Sequence, residues 1–345
     1  MKIKRQNIFF ILLATVAILL GVYILFMHET NPLEVNVSHV DVDLDVRRFD
    51  QDLFDYDGNL EAHVRELEKE YPRFFWLFTE QIINIGNTGD KDFTKFLDAF
   101  MQDYSVEQAR NAVNEEFNEI SDVESTLESG FKHYKYYFPE EDVPDVITFI
   151  AGFNHSVVTD EGLIGVGLDK YLGTDCELYS MMNVPAYAAR KMRREMIPVD
   201  CMKAWAQMEF PNQDTTDYLV FEMIHQGKLL YFLDAMYPQM PDSLKIGYTT
   251  KNMAYCRRFE QDMWQYLVSE ELLFSTDYLK QRKIIGEAPF TAAFGKESPG
   301  RAGAWLGWQI VRAYMKAENV SIADLMSESD YQKILNQSKY KPKVR

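Results

Sequence analysis

An uncharged apolar run from Ile8 to Met27 opens the chain. About twenty such residues match the hydrocarbon thickness of a bilayer, so the run predicts a membrane-spanning helix. Lys2, Lys4 and Arg5 precede it, and His28, Glu29 and Asn31 follow it. Positive charge on the N-terminal side places residues 28 onward outside the cytoplasm. A cleaved signal segment has a shorter apolar core and a small-residue cleavage site. Residues 21–27 (Gly-Val-Tyr-Ile-Leu-Phe-Met) stay bulky to the end, so an uncleaved anchor is expected. The pattern divides the chain into a basic cytoplasmic stub (1–7), an anchor (8–27), a linker (28–36) and one domain (37–345).

Within that domain the period of the apolar positions changes several times. Val37 to Val46 alternates apolar and polar residues and reads as a strand with one wet face. Its Asp41, Asp43 and Asp45 lack the glycine and distal glutamate of a calcium loop, and read as that solvated face. From Asn59 to about Tyr137 the stripes are helical: Leu60, Val64, Leu67 and Tyr71 mark one, Phe93, Phe96, Leu97 and Phe100 another. Gly86 and Gly89 separate them. Pro144–Phe153 and Leu163–Leu168 read as two strands, expected to pair antiparallel across a polar connection at 154–162. The spacing of Gly162, Gly165 and Gly167 is wrong for a dinucleotide loop, so bulges or close backbone approach are expected. After Pro185 the chain reads as mostly helical. One helix is predicted over Thr215–Met236, capped by Asp214 or Thr215 and stopped before Pro238; a second is predicted over Arg257–Leu273. The fold class is α+β, mostly helical, with a small antiparallel sheet.

Charge removes one class of function. The 345 residues carry 36 basic and 53 acidic side chains, a formal net charge of -17. Such a chain repels phosphate backbones, so no nucleic acid is expected as a partner. Membrane contact is expected through the anchor and not through the acidic surface. Cys176, Cys201 and Cys256 form no CxxC pair, and buried unpaired thiols are the expectation, one disulfide being the alternative.

Chemistry concentrates on the helix before Pro238. Glu222, His225, Gln226 and Lys228 interrupt an otherwise large and apolar sequence. Glu222 and His225 are three apart and share a face. Charge on the inner face of such a helix is costly unless it pairs, binds a ligand or reaches a cavity. The segment Phe221-Glu222-Met223-Ile224-His225 approaches the His-Glu-x-x-His pattern of zinc peptidases, in which two imidazoles hold the metal and the glutamate activates its water. Phe221 stands where the first imidazole belongs and has no lone pair to give. Glu260, Gln261 and Asp262 are candidates for a third ligand. Three protein donors are the usual minimum at a catalytic zinc, so no metal or cofactor is expected, and His225 is the one weak zinc candidate. The expected order of strands, this helix and the next fits a zincin-like C-terminal half with a degenerate site. A chance Glu/His pair in an ordinary helix is the alternative. Farther on, Gly303 and Gly307 give a smooth helix face, Trp305 and Trp308 supply aromatic surface, and Arg301 is a candidate anion clamp or partner of Glu222.

Several segments together resemble one family. They are residues 225–236 (His-Gln-Gly-Lys-Leu-Leu-Tyr-Phe-Leu-Asp-Ala-Met), the stretch from Trp264 to Asp277, the Gly300-Arg301-Ala-Gly303-x-Trp305-x-Gly307 segment, and Arg47-Arg48-Phe49-Asp50. The chain is similar in these to the gliding-motility lipoprotein GldB family of the Bacteroidota, itself similar to predicted zinc-dependent peptidases. The resemblance implies an envelope protein associated with gliding and secretion machinery, and gives no substrate. It departs from the lipoprotein pattern in having no cysteine at the end of the apolar run, so a single-pass inner-membrane anchor is expected, with the bulk in the periplasm. The expected function is a non-enzymatic envelope component that binds a protein or peptide partner through a peptidase-like groove involving Lys228, Glu260, Gln261, Arg301 and Trp305. The alternatives are an envelope zinc hydrolase with an unusual ligand set and a periplasmic ligand-binding module around Glu222, His225 and Arg301.

Overall fold

A computed structural model of the protein describes residues 31–212 and 216–342. The predicted anchor at 8–27 and the caps Asp214 and Thr215 lie outside the described residues. Among the described residues no helix is long and apolar enough to cross a membrane. The chain divides into two units, 1–36 and 37–345. In the first, Asn31 closes a turn, its backbone carbonyl accepting from the Glu34 amide at 2.9 Å and its side chain from the Leu33 amide at 3.1 Å.

The second unit holds four short strands: β1 (Val46–Arg47), β2 (Asp145–Phe149), β3 (Val157–Asp160) and β4 (Leu163–Gly167). The helices that matter below are α1 (Leu60–Glu70), α2 (Pro72–Leu77), α3 (Phe93–Met101), α4 (Tyr104–Glu116), α5 (Ser121–Tyr137), α6 (Ile197–Glu209), α7 (Leu219–Met236), α8 (Thr250–Ser269), α9 (Tyr278–Ile285), α10 (Ala302–Glu318) and α11 (Tyr331–Ser338). The α+β, mostly helical class stands.

The sheet is mixed, in the order β1-β2-β4-β3. β2 and β4, expected to pair antiparallel, run parallel from Asp145↔Leu163 to Phe149↔Gly167. The reason lies in the connection. Its second half is β3, which forms a tight antiparallel hairpin with β4 around Glu161 and Gly162 (φ +69°). β4 therefore inserts between its own hairpin partner and β2, and arrives in the parallel sense. The strand expected over 37–46 joins the ladder only at Val46 and Arg47, although Val42, Leu44 and Val46 keep the predicted inward alternation.

Central parallel strands are covered on both faces. On one face Phe149 meets Phe74 of α2 and Phe78 at 5.9 and 6.1 Å between centroids, and Phe49 packs edge-on to both of those rings. Gly165 is small because a Cβ there would lie 2.6 Å from Val158 and 3.0 Å from Phe74. On the other face Val146, Thr148 and Val166 face Val123 and Leu127 of α5 and Ile197 of α6. The Arg47–Asp50 stretch is part of this construction. Buried Asp50 accepts from Arg48 at 2.7 and 2.9 Å and from the Thr148 hydroxyl, tying the chain after β1 to β2.

Fifteen of the eighteen residues of α7 are buried, so it is an interior helix with neighbours all round. It begins at Leu219 rather than Thr215. The amides of Leu219 and Val220 are satisfied by the carbonyls of Ser275 (3.1 Å) and Leu273 (2.8 Å), and not by a capping side chain. α8 spans 250–269 rather than 257–273: a Thr249–Asn252 capping box starts it early, and left-handed Glu271 follows its end. α7 crosses α10 at Gly227 and Gly307. A Cβ on Gly227 would lie 2.3 Å from the Gly307 carbonyl oxygen, and one on Gly307 would lie 1.7 Å from that of Met223. The two backbones touch.

Candidate functional site

An interior helix must satisfy its polar side chains inside the protein. At the C-terminal end of α7, Asp234 does so with cations. It accepts from Lys245 (2.9 Å), from Arg312 of α10 (2.9 Å) and from the Trp308 indole N–H (2.9 Å). Arg312 reaches on to Asp242 at 2.8 Å and lies 3.8 Å over the Trp308 ring. Burial alone would raise the Asp242 carboxyl, but Arg312 outweighs it and holds the group below its ordinary range.

The N-terminal half carries the pattern that approaches the zinc peptidases. Phe221 is buried and packs edge-on against Tyr218 (5.4 Å) and Tyr331 of α11 (5.9 Å). Glu222 accepts from the Asn212 amide (3.1 Å) and the Gln226 amide (3.0 Å). His225 Nδ1 lies 3.3 Å from the Tyr331 hydroxyl, which donates to Asn212 Oδ1 at 3.0 Å. Gln226 Oε1 accepts from Arg301 at 3.3 Å. One chain of bonds thus runs from Arg301 through Gln226, Glu222, Asn212 and Tyr331 to His225. Arg301 does not pair with Glu222 directly: its ion partner is Glu287 at 3.2 Å, and Gln226 stands between the two.

These residues do not fit a zinc ion. The first-ligand position is an aromatic ring set among other rings, and Glu222 is held by two carboxamides. Among the described residues no three His, Cys, Asp or Glu side chains are placed to hold a metal. Of the third-ligand candidates, Glu260 accepts from the Tyr340 hydroxyl at 2.8 Å, Asp262 is exposed and Gln261 is half-buried on the same helix. The structure does not bring them to the Glu222–His225 pair. Trp305 is 2% exposed and packs inside, so it offers no surface. The three cysteines are free thiols; Cys201 and Cys256 are buried and Cys176 is half-buried.

His225 is held neutral. Burial first, then the charges of Lys228 and Lys203, push its pKa down to about 4. Lys228 is itself buried, donates to the Met326 and Glu328 carbonyls (3.1 and 2.7 Å), and is pushed down to about 8 by burial. It lines an open cavity of about 250 Å³ with Phe210, Met326, Glu328 and Tyr331. The sign of the pH dependence follows. Between pH 6.5 and 4 the unfolded chain takes up a proton at residue 225 that the folded chain refuses, so stability falls as pH drops through that window. His225→Gln should remove about 3 kcal/mol of this acid sensitivity. Urea unfolding of both proteins at pH 7 and pH 4 measures it; equal losses on acidification would refute the assignment.

A second group of charges lies across Arg301. Arg301 precedes α10 in the left-handed conformation (φ 58°, ψ 30°), which is strained for a non-glycine residue. Tyr248 donates to the Gly300 carbonyl at 2.6 Å, and Thr291 bonds both the Pro299 carbonyl and the Ala302 amide, so the turn is pinned. Glu287 bridges Arg301 and Lys191, whose amine is 2.6 Å away. Burial raises the Glu287 carboxyl, but Arg301 and Lys191 outweigh it and the net shift is downward. Lys203 of α6 sits behind them, its amine pushed down to about 7, first by the charge of Arg301 and then by burial. Asp200, one helical turn earlier, accepts from Tyr171 at 3.0 Å.

With this geometry in hand, the sequence can be placed among known proteins. A family model described as gliding motility protein GldB matches residues 30–342, nearly the whole chain. The protein belongs to the GldB family. No curated protein matches the chain, and no solved structure does. Membership points to gliding motility at the cell envelope. Sequence reading found Glu222, His225, Lys228 and Arg301 in this GldB-family chain, but missed Asn212, Tyr331, Lys203 and Glu287. Lys203, between Met202 and Ala204 of an apolar helix and one turn from Asp200, carried a legible signal; the others stand at loop or helix ends where no periodicity marks them.

Proposed function

We propose that this GldB-family protein is a non-enzymatic component of the gliding apparatus that binds a protein or peptide partner. In this reading residues 8–27 anchor it in the inner membrane, the bulk faces the periplasm, and the groove around α7 is a degenerate relative of a peptidase cleft. The observation that supports it best is the fate of the catalytic-looking residues. Phe221 fills the first-ligand position, Glu222 is held by Asn212 and Gln226 rather than aimed at a metal-bound water, and His225 leans on Tyr331. What remains is a recessed surface beside Lys228 and Tyr331 suited to a chain segment.

Four experiments test it. Crosslinking in native membranes should recover an envelope protein, and Glu222→Gln should leave gliding intact. Loss of gliding on that substitution, together with stoichiometric zinc lost on His225→Ala, would replace this reading with a hydrolase. An alkaline phosphatase fusion after residue 40 should be active; an inactive fusion would reverse the orientation.

A further inference from the structure

The charge of the molecule is unevenly spread. The whole chain carries -17, yet Arg190, Lys191, Arg193, Lys203 and Arg301 gather at one place against three carboxylates, Asp200, Glu195 and Glu287. Of these, Arg190, Lys191, Arg193, Arg301 and Glu287 border a cleft in two adjoining lobes of about 290 and 40 Å³ that share Arg190, Lys191, Gly247 and Tyr248. Gly247 (φ +73°) lets the chain before Thr249 turn closely against the Lys191 stem, where a Cβ would be 3.1 Å from Cδ. Pro299, Gly300 and Arg301, at the start of α10, form another wall.

Two details say what this cleft takes. Glu287 already lies in it as a carboxylate, 2.6 Å and 2.7 Å from the Lys191 amine and 3.2 Å from Arg301. Its own side chain is 53% exposed while that of Arg301 is 11% exposed, so a solvent-accessible carboxylate rests on a fixed cation. The Arg190 guanidinium, which borders both lobes, makes no hydrogen bond or ion pair with any described residue, which leaves the cleft with cationic charge that Glu287 does not satisfy. Planar guanidinium and ammonium donors converging on one point suit a carboxylate.

We infer that this cleft docks a carboxylate-bearing acidic segment of the partner protein, and that Glu287 occupies it until the partner displaces it. The inference rests on the partner-binding reading above and names the chemistry of that partner. An acidic segment is repelled by most of this surface, so the cleft also fixes where it lands.

The test uses the full chain in detergent with a fluorescent hexaglutamate peptide, read by anisotropy at low salt. Wild-type protein should bind hexaglutamate and not the uncharged hexaglutamine. Lys191→Gln and Arg190→Gln should each weaken binding by about tenfold, whereas Glu287→Gln should tighten it severalfold by removing the internal competitor. Unchanged melting temperatures check that all three variants fold. A purely structural Lys191–Glu287 pair predicts the same sign for both substitutions and would overturn the inference. So would displacement of hexaglutamate by inorganic phosphate at equal concentration, or preference for phosphatidylglycerol vesicles. Recovery of the crosslinked partner equally well by Lys191→Gln would leave partner binding standing and remove the cleft from it. Hexaglutamate binding with no partner recovered would do the reverse.

Discussion

Gly307→Ala should destabilise the protein severely. The added methyl would sit 1.7 Å from the Met223 carbonyl oxygen and 2.3 Å from its carbon, both backbone atoms of α7. No rotamer relieves such a clash; only separating α7 from α10 does, and that opens the packing around Leu306 and Ile310, both buried in the core. We expect a loss of more than ~3 kcal/mol, and a fall in Tm on the order of 10 °C. Gly303→Ala is the control. Its methyl meets Ile284 and Ile285 side-chain methyls at 2.7 and 2.8 Å, which can shift, so its cost should be about half as large. Urea unfolding followed by circular dichroism distinguishes them, and a Gly307→Ala protein as stable as Gly303→Ala would mean that the helices do not touch as described.

Asp234→Asn should cost nearly as much by a different route. The substitution keeps the shape and removes one charge. Arg312 retains Asp242, but Lys245, whose side chain is 3% exposed, loses its carboxylate partner. An uncompensated buried ammonium costs about 3–5 kcal/mol. Adding Lys245→Met should recover part of that loss, because a buried ion pair replaced by apolar atoms is often neutral. A double variant no more stable than Asp234→Asn alone would place the loss elsewhere, in the Trp308 hydrogen bond.

The apolar periods marked 59–137 and the chain after Pro185 as helical and placed α1, α3, α7 and part of α8, because burial on one side or all round leaves a mark in sequence; the bounds of α4, α5 and α6 were not resolved. α7 was visible as an interior helix for that reason, and its charges were visible as interruptions. What the sequence did not carry was partnership. Alternation in 145–149 and 163–167 marks strands but not their neighbours, and the half-buried β3 decided that β2 and β4 run parallel. The start of α7 was misplaced because its first amides are satisfied by residues some fifty positions later in the chain, not by a local cap. The polar chain from Arg301 to His225 was half legible. Its members on α7 stand out against leucines, while Asn212 and Tyr331 look like ordinary surface residues until the fold brings them together. Phe221 was legible as a departure from the zinc-peptidase pattern, but the rings it packs against, Tyr218 and Tyr331, were not.

Tyr331 stands 106 positions after His225 in the chain, on a helix of its own that ends at Ser338. Chains emerge from the ribosome N-terminal end first. The pocket beside His225 therefore lacks a wall while the next hundred or so residues are being made, and α7, buried on nearly every side once folding is done, must wait for α11 to be closed over. Chains cut short before Tyr331 would leave the imidazole and its lysine neighbour open to water, and should behave as loss of the site, not as minor trimming.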